Sequence, residues 1–232
     1  MRKNRPALFR GRHFEDIIIV LCVRWYLRYS LSYRDLEEMM LERGLSVDHT
    51  TVWRWVQRYA PELNKRIRRE VKSTNGSWRT DETYVRVAGR WTYLYRAVDS
   101  TGSTIDFLLS ETRDLEAARR FFQKALAAPG HPRPRVITVD GNPSYPTVIQ
   151  ELKRAGRVDR RSLSSDESTP NSASGLLIQG YEAIHMIRKG QVRWLPKGDV
   201  VEQVQFINAT LNDLNRYSCI RKPLRLSNGL PR

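Results

Sequence analysis

The chain has 232 residues, 40% of them hydrophobic and six of them tryptophan, which excludes wholesale disorder. Forty Lys and Arg against twenty-five Asp and Glu give a formal net charge of +15. That favours a polyanionic partner, because each neutralised phosphate releases condensed counterions. Cys22 and Cys219 lie far apart and form no disulfide framework, and the four histidines show no metal-ligand spacing with them.

Basic residues precede the apolar run at 17–23, but Glu15 and Asp16 abut it, Arg24 ends it and no small-residue cleavage site follows. The run is also far short of the roughly 20 apolar residues of a spanning helix. A soluble, cytoplasmic chain with no membrane partner is expected.

Ile17, Ile18, Leu21, Trp25 and Tyr29 recur at spacings of three and four and predict a helix over 14–29. Ser32 is placed to N-cap a second helix with Asp35 in its first turn and Leu36, Met39 and Met40 on its inner face. Gly44 supplies a left-handed stop, and Asp48 caps a third helix running to about Tyr59, closed off by Pro61. On that helix Val52, Trp55, Val56 and Tyr59 share an inner face. His49, Thr50, Trp53, Arg54, Gln57 and Arg58 are left pointing outward, as groups suited to base edges and phosphates. The helix pair thus predicts a helix-turn-helix DNA reader over residues 1–70, followed by a polar joint at 71–77.

From Trp78 the apolar period changes to two. Residues 78–87, 90–99 and 104–110 are rich in β-branched and aromatic side chains and are separated by short turns, which predicts three antiparallel strands. Residues 114–128 read as a helix, "RVITVD" as a short strand ending on Asp140, and "SYPTVIQELKRAG" as a further helix. The fold class expected is α/β: an all-α N-terminal domain followed by a ribonuclease H-like core. Asp81 lies in the first strand and Asp140 ends the fourth, so they converge if those strands are neighbours. Two carboxylates about 4 Å apart repel by roughly 4 kcal/mol at an effective dielectric of 20, which makes a cation the natural third party. Mg²⁺ suits such oxygen ligands, and a pair of ions can activate a hydroxyl and stabilise a leaving oxygen. Asp81 as an ordinary strand charge and the Asp-Gly-Asn-Pro at 140–143 as a plain turn remain alternatives at this point.

The stretches "WRTDETYVRVAGRWTYLYRAVDSTG", "TIDFLLSETRDLEAARRFF", "VITVDGNPSYP" and "GYEAIHMIRKGQVRWLPKGD" resemble the insertion-sequence-six group of bacterial DDE transposases, as does the N-terminal "RHFEDIIIVLCVRWYLRYSLSYRDLEEMMLERGLSVDHTTVWRWV". The likeness covers roughly residues 5–155 and 179–207. It implies a ribonuclease H-like domain over 78–207 that cuts and joins double-stranded DNA with two Mg²⁺ ions, Asp81 and Asp140 being the first two catalytic and metal-binding carboxylates. It further implies binding of terminal inverted repeats and target DNA, homo-oligomers on DNA, and a bacterial, nucleoid-associated setting.

One feature departs from the family. The third carboxylate belongs on a helix in a motif resembling "YLNNxxEQDH", and nothing like it occurs here. The serine-rich "SLSSDESTPNSASGLLI" at 162–178 stands instead, inside an aberrant stretch at 157–178. Asp159, Asp166, Glu167 and Glu182 are the nearby acids. Glu167 is the least poor substitute, although its serine-rich surroundings have weak helix propensity. Residues 208–232 form a divergent tail. The resulting expectation is a transposase impaired in catalysis. The alternatives are a non-catalytic remnant that occupies transposon ends or joins mixed multimers, and a ribonuclease acting on RNA hybrids.

Overall fold

A computed structural model describes residues 6–87, 90–128, 130–139, 144–154 and 173–212. Its elements are α1 (Asp16–Arg28), α2 (Tyr33–Leu41), α3 (His49–Ile67), β1 (Ser77–Val87), β2 (Arg90–Asp99), β3 (Thr104–Ser110), α4 (Leu115–Ala127), β4 (Val136–Val139), α5 (Ser144–Arg154), α6 (Ala173–Arg188) and α7 (Val200–Leu211). The expected elements of the first 154 residues are therefore present. Asp140, Glu167, Asp159, Asp166 and the tail beyond residue 212 lie outside the described residues.

Local chemistry sets the helix ends. Ser32 and Asp35 form a reciprocal capping box on α2. At the other end of α2, the Leu45 N–H donates to the Met40 carbonyl and the Gly44 N–H to that of Leu41, with Gly44 at φ +72°. This is a Schellman turn, and the left-handed φ is why a glycine stands there. Asp48 then accepts from the Thr50 N–H and starts α3.

Pro61 does not end α3, which runs through it to Ile67. A proline there removes one backbone hydrogen bond and crowds the preceding turn. Burial outweighs that cost: Tyr59, Ala60, Leu63 and Ile67 are all fully buried beyond the N-terminal half of the helix. Arg66 adds a tie, donating to the Thr210 carbonyl of α7 at 2.7 Å.

The chain builds two apolar cores. In the first, Ile19, Val23, Leu36, Met40, Val52, Val56 and Leu63 of α1–α3 pack with Ala183, Ile187, Phe206 and Ile207 of α6 and α7. Thus α6 and α7, which follow the sheet in sequence, share the core of the first three helices. The crossing is tight at Gly180, where a Cβ would stand 2.6 Å from that of Ala60.

The second core lies against a four-stranded sheet of order β3-β2-β1-β4, with β1–β2 and β2–β3 antiparallel and β1–β4 parallel. Trp78, Tyr95, Ala97, Ile105 and Leu108 meet Phe121, Phe122 and Ala125 of α4 and Tyr145, Val148 and Leu152 of α5. Three antiparallel strands, a crossover helix and a parallel strand returning beside the first form the ribonuclease H-like arrangement expected from the sequence.

Polar contacts bind the two parts together. Gln191 pairs twice with the buried backbone of Thr104, Lys189 donates to the Gly102 carbonyl at 2.7 Å, and Arg68 bonds Asp106 at 2.7 Å.

Candidate functional site

Side chains alternate along β1, so Trp78, Thr80 and Glu82 take the face covered by α4 and α5, while Asp81 projects from the other. Glu82 is a structural acid: Tyr145 donates to it at 3.2 Å and Arg113 pairs with it, inside the helix-covered face. Asp81 is different. The antiparallel register sets it opposite Arg96, whose Nη2 lies 3.2 Å from Asp81 Oδ2. Its Oδ1 is shut off from solvent and has no hydrogen-bond partner among the described residues. Such an oxygen, lacking a donor, fits a hard cation.

The parallel register pairs Thr80 with Val139, the last residue of β4. The described end of β4 therefore lies beside the residue that precedes Asp81. In sequence the next residue after Val139 is Asp140.

A second carboxylate near this face is one that the sequence reading named among the nearby acids but passed over. Glu182 of α6 is only 9% exposed, and its Oε2 has no hydrogen-bond partner among the described residues. Burial pushes its pKa up, against the opposing pull of Arg96, Lys189 and Arg68, while Asp106 adds to the rise. A carboxyl whose folded pKa lies above its ordinary value of 4.5 binds more protons in the folded state, so stability falls as pH rises from there. Glu182→Gln is expected to match the parent protein near pH 4 and to be more stable at pH 7, measured by urea unfolding at both. Equal stabilities at pH 7 would contradict the assigned burden.

Of the outward residues expected on α3, Trp53, Arg54 and Arg58 are exposed, Trp53 by 44%. Thr50 is exposed but works locally, its N–H and hydroxyl both donating to Asp48. His49 is half-buried, with Nδ1 2.9 Å from Glu37 Oε2 on α2. Gln57 departs from the expectation: it is half-buried, with both amide heteroatoms closed off from solvent, on the side where Tyr33 of α2 sits. Its position borders the α2–α3 contact, and packing turns the amide inward.

Among the described residues, Glu37, Asp48 and His49 bring ligand atoms within 4.8 Å of one another. Capping and the His49–Glu37 contact already account for this cluster. Beside it along α3 lies a cavity of about 380 Å³ lined by Arg12, Thr51, Arg54, Trp55 and Arg58. Arg12 was missed by the sequence reading because it sits in an aperiodic arm before α1. Arg96 was in principle legible, since a hairpin turning at 88–89 pairs position 81 with 96.

Residues 75–172 match a family model described as a DDE domain. The transposase for insertion sequence-like element IS431mec of Staphylococcus aureus strain Mu50 is 42% identical over 147 residues, 63% of this chain and 65% of the relative. Over this region the chain is similar to DDE transposases. The transposase for insertion sequence element IS257 in transposon Tn4003 of S. aureus matches it at the same identity and coverage. The chain spans 65% of the length of these curated relatives. A cryo-EM structure of the simian T-cell lymphotropic virus intasome in complex with PP2A regulatory subunit B56 gamma overlaps it at 21% identity and a TM-score of 0.32. That overlap takes in 68% of this chain and 58% of the other. No helix among the described residues is long and apolar enough to cross a membrane.

Proposed function

We propose that this chain is the transposase of a bacterial insertion sequence that binds the terminal inverted repeats of its element and is impaired in strand cleavage and transfer. The observation that carries the reading is the β1–β4 register, which sets the end of β4 beside the residue preceding Asp81. Asp81 and Asp140 are the residues that would hold a divalent ion, and the free Oδ1 of Asp81 supports that role. When bound, Mg²⁺ supplies charge to polarise a phosphodiester and to lower the pKa of an attacking hydroxyl. Arg96 meanwhile neutralises Asp81 and keeps its carboxylate oriented across the hairpin.

Impairment follows from the sequence: the motif expected to carry a third carboxylate is replaced at 162–178, and Glu167 lacks a helix-forming context. The same feature supports the second reading, a remnant that occupies ends or joins mixed multimers without cutting.

Residues 1–70 serve as the helix-turn-helix reader, 71–77 as a joint and 78–207 as the catalytic domain, whose α6 and α7 pack back on the reader, and the chain acts as a homo-oligomer on paired ends and target DNA in the cytoplasm. Exposed Trp53 on α3 presents a planar group to the major groove, next to Thr50. Fluorescence anisotropy with a 30-bp duplex carrying the element's terminal repeat, against a scrambled duplex, tests the reading. Preference for the repeat is expected, reduced about tenfold by Trp53→Ala. Equal binding of both duplexes by the parent chain would refute end recognition.

A further inference from the structure

The cavity beside α3 has an unusual charge inventory. Arg12, Arg54 and Arg58 converge on it with Thr51 and Trp55, and no carboxylate is among its lining residues. An anion with several acceptor oxygens can accept from several guanidinium forks at once, and Thr51 adds a hydroxyl donor. Thr51, Arg54, Trp55 and Arg58 follow the i, i+3, i+4, i+7 pattern, so they form one stripe along α3.

Arg12 reaches the stripe from a different segment, and that segment is held in place. Phe9 is fully buried and stacks on Tyr59 with centroids 5.0 Å apart. Phe14 meets Trp55 edge-on at 5.3 Å, and the Arg12 N–H donates to the Phe9 carbonyl at 3.2 Å. Aromatic anchors therefore pin the arm to α3 on both sides of Arg12. A site built this way loses little conformational freedom when it binds.

We infer that the cavity walled by Arg12, Thr51, Arg54 and Arg58 is a binding site for a backbone phosphate of duplex DNA, clamping one strand between the N-terminal arm and α3. The inference rests on the reading of α3 as a DNA-binding helix and deepens it. Phosphate contacts fix register and supply affinity but carry no sequence information, whereas contacts to base edges discriminate. Arg54 and Arg58 thus hold the backbone, and Trp53, on the neighbouring exposed side, is left to face the bases.

Full-length protein is titrated with the terminal-repeat and scrambled 30-bp duplexes between 50 and 300 mM KCl. Arg12→Ala is expected to weaken both duplexes by one common factor, about three- to tenfold at 150 mM. The slope of log K against log salt falls by about 0.9. Arg12→Lys restores the slope, and Arg58→Ala repeats the alanine result, both with the preference between duplexes unchanged. An unaltered slope in Arg12→Ala overturns the inference, and so does a change in preference at constant slope. A parallel titration with inorganic phosphate separates the other source of the same chemistry. If phosphate binds in an Arg12-dependent way while duplex binding ignores Arg12, the site serves free anions and the inference fails. A parent chain without preference between duplexes, yet with the Arg12 slope effect, supports the phosphate site and refutes end recognition.

Discussion

Arg68→Ala is expected to lower the unfolding free energy by about 2–3 kcal/mol. Arg68 stands just past α3 and reaches across to β3, where its Nη2 bonds Asp106 Oδ1 at 2.7 Å and its guanidinium lies over the Phe107 ring. The Asp106 side chain is 4% exposed, so losing its cation leaves a charge stranded in a poorly solvated place. Breaking a buried pair from one side commonly costs about 3–5 kcal/mol. Lys124 reduces that here: its Nζ lies 3.6 Å from the same oxygen and also donates to the Phe107 carbonyl. Burial lowers the Lys124 pKa first of all, Arg68 lowers it further, and Asp106 opposes both. Removing Arg68 therefore strengthens the remaining ion pair. Urea unfolding of Arg68→Ala, Asp106→Asn and the double variant measures the coupling. A loss below about 0.5 kcal/mol in Arg68→Ala would show that the contact does not tie the helices to the sheet.

Gln191→Ala acts at the same joint and is expected to cost about 2–6 kcal/mol. The Gln191 side chain donates to the Thr104 carbonyl at 3.1 Å and accepts from the Thr104 N–H at 3.0 Å, with both residues buried. β3 is an edge strand of the sheet, and this amide acts as a one-residue strand neighbour at its start. Truncation leaves one donor and one acceptor buried, each costing about 1–3 kcal/mol if no water replaces the amide. Hydrogen exchange adds a local readout: the Thr104 amide should exchange faster in the variant, while core amides of β1 and β2 slow or quicken only with global stability. An unchanged Thr104 amide would locate the stabilisation elsewhere.

Much of the sheet was legible because period-two patterning and short turns are local signals. β2 and β3 occupy the expected ranges, and β1 begins one residue earlier, at Ser77. Capping of α2 and α3 was legible for the same reason, since Ser32, Gly44 and Asp48 act within a few residues of themselves. Pro61 misled because its cost is local, whereas the burial that overrides it comes from α6 and α7, more than a hundred residues later. Their docking left no pattern beyond apolar residues and one glycine, Gly180, whose need becomes visible only at the crossing with Ala60. At the site, Asp81 stood out by residue type and strand position. Arg12 and Glu182 did not, because one gains its meaning from an arm packed on α3 and the other from charges on distant elements.

On the proposed function, the chain holds transposon ends but lacks a complete set of carboxylates. Strand cleavage and transfer on terminal-repeat duplex in Mg²⁺ tests it most directly, with Asp81→Ala alongside. End-selective binding by both proteins is expected, with no more cleavage by the parent chain than by Asp81→Ala. Robust cleavage by the parent chain that Asp81→Ala abolishes would contradict it.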